Sequence, residues 1–299
     1  MQKCILKTLA YADLFNYPLN SEELYRFFIS DHALSPSVFN NALSRIYTND
    51  KRIDTNGKYF FLKGRREVVD IRKERERWSK EKIRIAHETA EKLKTIPTIK
   101  LIGVTGALAM ENCDEDDDID LLIVTARNSL WLTRFLIIAL CPILGIKRRK
   151  PNDKNVKDKI CFNLFLDEDN LKIEPESLFL AHEICQVRLL FNKDNIHERF
   201  LWENRWVRKF LPNVIGSSNL KSQITLRFAA KPQLKTKNFF LTILNLIAFH
   251  LQHLYMRPKM TVEKVTLHQA FFHPSDISKK VQREYKTRLR LLGLDKERG

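Results

Sequence analysis

Glycine is scarce in this chain of 299 residues: only eight are present, and none stands in a G-x-G-x-x-G or G-x-x-x-x-G-K-[ST] array. A dinucleotide-binding fingerprint and a Walker-type phosphate loop are therefore excluded at motif level. Cysteine is sparse and scattered, at 4, 113, 141, 161 and 185, with no C-x-x-C pair. That odd set matches neither a disulfide framework nor a zinc knuckle and fits a reducing compartment, so a cytoplasmic location is expected. The first fifteen residues lack both an uninterrupted apolar core and a small-residue cleavage site, which argues against a signal peptide. No serine or cysteine nucleophile motif and no internal repeat is visible.

Acidic residues are in deficit, 36 against 52 basic ones, for a net charge of +16. Most of the excess lies after residue 175, while 101–175 is net acidic. Such a field speeds encounter with phosphate-bearing partners but does not choose between nucleotide, nucleic acid and acidic membrane.

Apolar spacing predicts helices over 4–16, 22–29 with Ser21 as N-cap, and from Ser35–Pro36 to about Tyr47. Residues 52–62 read as a hairpin, with Asn56–Gly57 as a type I′ turn signal. Three short helices and a hairpin resemble a winged helix over 1–65, a module that serves DNA binding or protein docking. Residues 66–97 read as one long connector helix with a sparse apolar stripe and a solvated charged face. Over 98–175 the pattern changes to strand, turn, strand, helix at 129–146, basic loop and strand at 159–166, a mixed α/β core. Residues 176–299 read as a basic helical region, with helical periodicity in 178–191, 198–211, 239–256 and 276–292.

The chemistry concentrates in GVTGALAMENCDEDDDIDLLIVT, residues 103–125. Asp118 and Asp120 stand two apart at the start of a strand, so both side chains share a face with Cα atoms roughly 6.5–7 Å apart. Ile119, Leu121 and Ile123 line the other face, and Leu122 and Val124 continue the aspartate face. Two carboxylates on a strand that is apolar on both sides repel each other and lose hydration. A hard divalent cation, Mg²⁺ or Mn²⁺, relieves both costs. Gly106 follows a strand and opens a short helix at 107–111, where backbone can approach a phosphate. Asp114–Asp117 read instead as a solvated acidic turn.

This text resembles the nucleotidyltransferase superfamily of the DNA polymerase β type, over about 99–170. That family carries Gly-Ser at a helix start and a D-h-D pair a dozen residues later; here Gly106 is followed by Asp118, Ile119 and Asp120. The resemblance implies metal ligation by Asp118 and Asp120 and a triphosphate seat at Thr105, Gly106 and Ala107. The family serine is Ala107 in this chain, with Thr105 as its substitute. The family's third carboxylate falls at Asn163, an amide that accepts a hydrogen bond but takes no proton. Asp167, four residues on, fills that role only if register brings it near the pair.

Lesser signals have plainer readings. Lys147–Lys150 with Lys154, Lys157 and Lys159 form a basic loop that either contacts phosphates or is merely solvated. His250 and His253 read as ordinary helix histidines. The apolar segment 239–256 is expected to pack in the core, with peripheral membrane contact as a minor alternative, and no transmembrane segment is expected.

The sequence thus predicts an α+β protein: a mixed-sheet nucleotidyltransferase-like core flanked by an N-terminal winged helix and a C-terminal helical region. The leading function is Mg²⁺- or Mn²⁺-dependent transfer of a nucleoside monophosphate from a nucleoside triphosphate to a hydroxyl of protein, RNA or a small molecule. The alternative is a catalytically weakened core serving as a nucleic-acid-binding or regulatory module.

Overall fold

The structure is a computed structural model that describes residues 1–151, 153–214, 239–259, 263–272 and 276–294. It is a mixed α+β fold with a mixed sheet.

The N-terminal unit comprises α1 (Gln2–Asp13), α2 (Ser21–Arg26), α3 (Pro36–Asn49) and a hairpin of β1 (Ile53–Thr55) and β2 (Phe60–Leu62). Two local expectations need correction. The N-cap of α2 is Asn20, not Ser21: Asn20 Oδ1 accepts from Glu23 N and Glu23 Oε2 accepts from Asn20 N, both at 2.9 Å. These reciprocal bonds satisfy two donors at once, which a Ser21 cap would not. The hairpin loop spans four residues, 56–59, rather than a two-residue turn, because Asn56 Oδ1 accepts from the amides of Lys58 and Tyr59 and opens it out.

Helix α4 (Val68–Leu93) is no solvated connector. Ile83, Ala86, Ala90 and Leu93 enter the main core, and Arg72, Ser79 and Lys82 are buried on the same helix. Arg72 donates to Glu23 at 2.7 and 2.8 Å and to the carbonyl of Pro18, with its guanidinium within 4.4 Å of the Tyr17 and Tyr59 ring centres. This bidentate, stacked arginine joins α4 to the N-terminal unit.

The central sheet has the order β6-β3-β4-β5-β8-β7. Its strands are β3 (Ile99–Val104), β4 (Ile119–Thr125), β5 (Ile160–Asp167), β6 (Arg188–Asn192), β7 (Lys264–Val265) and β8 (Gln269–Phe271). Strands β4 and β5 are parallel, linked through α6 (Leu130–Leu140); the other neighbours pair antiparallel. Residues 176–299 are therefore not purely helical: β6, β7 and β8 come from there and complete both flanks of the sheet. Between them run α7 (Leu178–Gln186), α8 (Ile196–Glu203) and α9 (Phe239–Met256), and α10 (Asp276–Leu291) follows.

Both faces of β4 are covered, as its apolar sequence requires. Ile119, Leu121 and Ile123 pack with α4 and α6, whereas Leu122 and Val124 pack with α7, α8 and the 3-10 turn at Arg205–Lys209. Helix α9 departs from expectation: of its 18 residues only Asn245 and Ala248 are buried. It docks on α6, with Phe249 and Met256 partly buried against the main core, and leaves Phe239, Phe240, Ile247, Leu251 and Leu254 exposed. By length and composition it is also the one helix among the described residues able to cross a bilayer, where none was expected.

Candidate active site

The local chain path is set before the site begins. Lys82, buried on α4, donates from Nζ to the carbonyls of Glu115 (2.9 Å) and Asp117 (2.6 Å) and to Asp158 Oδ1 (2.7 Å). It ties the acidic turn to the loop that leads into β5. Asp114, Glu115 and Asp116 are exposed, the solvated turn expected for them. Asp117 is half-buried and accepts from the amide of Asp114 at 2.7 Å. Burial pushes its carboxyl above the ordinary range.

Asp118 and Asp120 then enter β4 together with Cys161, which lies opposite Asp120 in the parallel pairing with β5. One potential ligand atom from each of the three lies within 4.8 Å of the other two. This is the one group of its kind among the described residues, and His250 and His253 are not part of another. Cys161 was not singled out by sequence: a strand reading put the polar centre at Asn163. Burial first, then the Asp120 and Asp118 carboxylates, push the Cys161 thiol up, and it hydrogen-bonds Asp120 as a neutral group.

Gly106 sits against this group. Its φ of +64° is in the left-handed region, and a Cβ placed there would lie 3.1 Å from Asp120 Oδ2. The amide of Thr105 donates to the carbonyl of Asp120 at 3.0 Å, fixing the glycine turn beside the acid. The Thr105 hydroxyl and Asn163 Oδ1 are both buried without a hydrogen-bond partner. A register shift on β5 between Cys161 and Leu164 lets Asn163 also reach the Asp120 side. Asp167 does not reach it: it pairs with Thr125, five positions along β4 from Asp120, or roughly 16 Å at about 3.3 Å per residue. There it accepts from the amides of Asn128 (2.7 Å) and Asp169 (3.0 Å), anchoring the start of α6.

The basic loop contributes one direct contact. Arg149 Nη1 donates to Asp118 Oδ2 at 2.8 Å. Lys157 pairs with Glu115 (2.6 Å) and Lys159 with Asp153 (2.8 Å), away from the acids of the site.

Thr105, Gly106, Ala107, Asp120 and Asn163 line one cavity of about 620 Å³. Its volume suits a nucleotide-sized ligand. Tyr11, Phe27, Phe179 and His182 provide aromatic lining, and Lys264 and Lys279 positive charge. The His182 ring stacks on Tyr11 with centres 4.2 Å apart. Burial holds that imidazole neutral, pulling it down to about 3.

Two carboxylates, with an amide and a hydroxyl oxygen lining the same cavity, fit a hard divalent cation, beside a thiol that burial and the aspartates push up. Comparison with protein-family models, curated proteins and solved structures finds no match to the chain.

Proposed function

We propose that this protein is a metal-dependent nucleotidyltransferase that moves a nucleoside monophosphate from a nucleoside triphosphate to a hydroxyl acceptor. On this reading 99–170 is a nucleotidyltransferase-type core and 1–65 a winged-helix module. One observation carries the proposal: Asp120 stands against the left-handed Gly106, grouped with Asp118, in the lining of a nucleotide-sized cavity.

Asp118 and Asp120 would hold Mg²⁺ or Mn²⁺, which would supply charge neutralisation for carboxylates and phosphates alike. The Thr105–Ala107 turn, free of side-chain bulk at Gly106, offers close backbone approach to the triphosphate. The Thr105 hydroxyl and Asn163 Oδ1, both without hydrogen-bond partners, offer a donor to a phosphate oxygen and an acceptor to the incoming hydroxyl. The acceptor oxygen bonds to the α-phosphorus, the bond to the bridging oxygen breaks, pyrophosphate leaves, and the hydroxyl proton passes to solvent. Positioning and charge compensation would supply most of the rate.

A second reading, nucleotide or nucleic-acid binding without turnover, is favoured by the third position of the cluster, where Cys161 and Asn163 stand in place of a carboxylate. Incubation with α-labelled triphosphates, Mg²⁺ or Mn²⁺ and candidate RNA, protein and small-molecule acceptors separates the two. Label transfer that Asp120→Asn abolishes supports the enzyme. Triphosphate binding, or salt-sensitive DNA retention, with no transfer supports the second reading.

A further inference from the structure

Helix α9 (Phe239–Met256) is inverted relative to a water-facing helix. Two of its polar side chains are turned onto α6: Asn245 accepts from the amides of Trp131 (2.7 Å) and Leu132 (3.2 Å). Gln252 donates to the carbonyl of Trp131 (2.8 Å) and accepts from Arg134 (2.6 Å). Ala248, Phe249 and Met256 pack against the main core, but a second apolar face points out, with Phe240, Ile247, Leu251 and Leu254 between 52% and 71% exposed. The helix it docks on, α6, exposes Phe135, and Ile143 is exposed just beyond α6. A soluble surface helix shows the opposite arrangement, and a contiguous apolar patch of this kind marks an interaction surface.

The surrounding sequence identifies the occupant. From Asn204 to Val262 there is no Asp or Glu, while ten Lys and Arg flank the helix, eight before it and two after. An exposed apolar strip with a net positive run of sequence on either side of it complements an anionic lipid surface. A second copy would bring the same positive charge to the interface. A nucleic acid would gain little from exposed leucine and isoleucine.

We propose that α9, with the exposed edge of α6, seats this protein on the surface of an anionic lipid bilayer. The helix lies along the interface rather than across it. At about 1.5 Å per residue its length of about 27 Å could cross a bilayer, but Ala248, Phe249 and Met256 are packed against the main core. Asn245 and Gln252 also stay bonded to α6. This inference does not depend on the nucleotide chemistry.

Vesicle flotation of the full chain tests it, using roughly a quarter phosphatidylserine in phosphatidylcholine against phosphatidylcholine alone. The protein floats with the anionic vesicles and about tenfold less with the neutral ones or in high salt. Phe240→Asp with Leu251→Asp cuts flotation by about tenfold or more, because each loses an inserted apolar side chain. Lys235→Gln with Lys237→Gln weakens the phosphatidylserine preference. Circular dichroism shows that the variants remain folded, as expected for the exposed Phe240 and Leu251. Flotation that is absent, or unchanged in the aspartate variants, overturns the proposal. So does a dimer that these variants dissociate without any vesicle binding, which would make a second copy the occupant. A loss of several degrees in melting temperature without vesicle binding would mean that the chain covers this face itself.

Discussion

Arg149 and Asp118 form an ion pair, 2.8 Å from Nη1 to Oδ2, at the edge of the acidic cluster. Asp118 is mostly buried while the guanidinium is 43% exposed, so the cation can withdraw to water and leave the acid behind. A protein cation thus stands on an oxygen that a metal ion would use. Arg149→Gln is expected to tighten Mn²⁺ binding in the absence of nucleotide, by up to about fivefold for a partly exposed pair. It should weaken triphosphate binding, because one phosphate-compensating charge is lost. Titration calorimetry with Mn²⁺ and then with triphosphate checks both directions; a fall in Mn²⁺ affinity would contradict the competition.

Gly106→Ala should act on fold and site together. A left-handed conformation costs a residue with a side chain about 1–2 kcal/mol. The new methyl would also press on Asp120 Oδ2 at 3.1 Å. Chemical denaturation should show the stability loss, and Mn²⁺ titration a weaker affinity. Unchanged values in both would remove Gly106 from the site.

Lys82 holds the acidic turn through three acceptors, and its loss should be felt at Asp118. Lys82→Met strands two carbonyls and the Asp158 carboxylate, at a cost of about 3 kcal/mol. Metal binding should weaken while the fold persists. Proteolysis of the 114–118 turn, read alongside the denaturation midpoint, separates local loosening from global loss.

His182 gives the protein an acid sensitivity. Its folded value near 3 lies far below the ordinary histidine value of 6.5. Below about pH 6.5 the unfolded chain binds a proton that the folded chain refuses, so stability falls as pH drops from there towards 3. Above that window the residue contributes nothing to the pH dependence. The slope from this group is at most about 1.4 kcal/mol per pH unit. His182→Phe keeps a ring between Tyr11 and Phe27 and should flatten the dependence of the denaturation midpoint between pH 6 and pH 4, a window set by about 6.5 for free histidine. An unchanged slope would assign the acid sensitivity elsewhere.

Much of the site was legible because its signals are local. Gly106, Asp118 and Asp120 could be read from spacing alone, since strand period and a single turn bring them together. Cys161 was not legible, because its place opposite Asp120 depends on the register of two parallel strands with residues 126–159 between them. The family resemblance points to Asn163 on this strand, and the irregularity after Cys161 brings Cys161 to the acids as well. Lys82 and Arg72 were missed for a different reason. Apolar periodicity finds the greasy stripe of a helix and treats basic positions as solvated, whereas α4 buries two of them against carbonyls and carboxylates. Strand β6 was hidden because helical spacing runs on through Val187 with no glycine or proline to mark the end of α7. The exposure of α9 was invisible as well, since sequence shows that a helix is apolar but not which side meets the protein.

Strand β5 gains its outer neighbour only from Gln269–Phe271, about a hundred residues downstream, and β3 gains its own from Arg188–Asn192. During synthesis the growing polypeptide therefore carries a ragged platform until Gln269–Phe271 have emerged from the ribosome. Excising 98–175 as a free-standing piece would leave the same two raw borders, each a template for pairing with a stranger. Assembly of this sheet is in that sense a closing stitch, made when Gln269–Phe271 arrive.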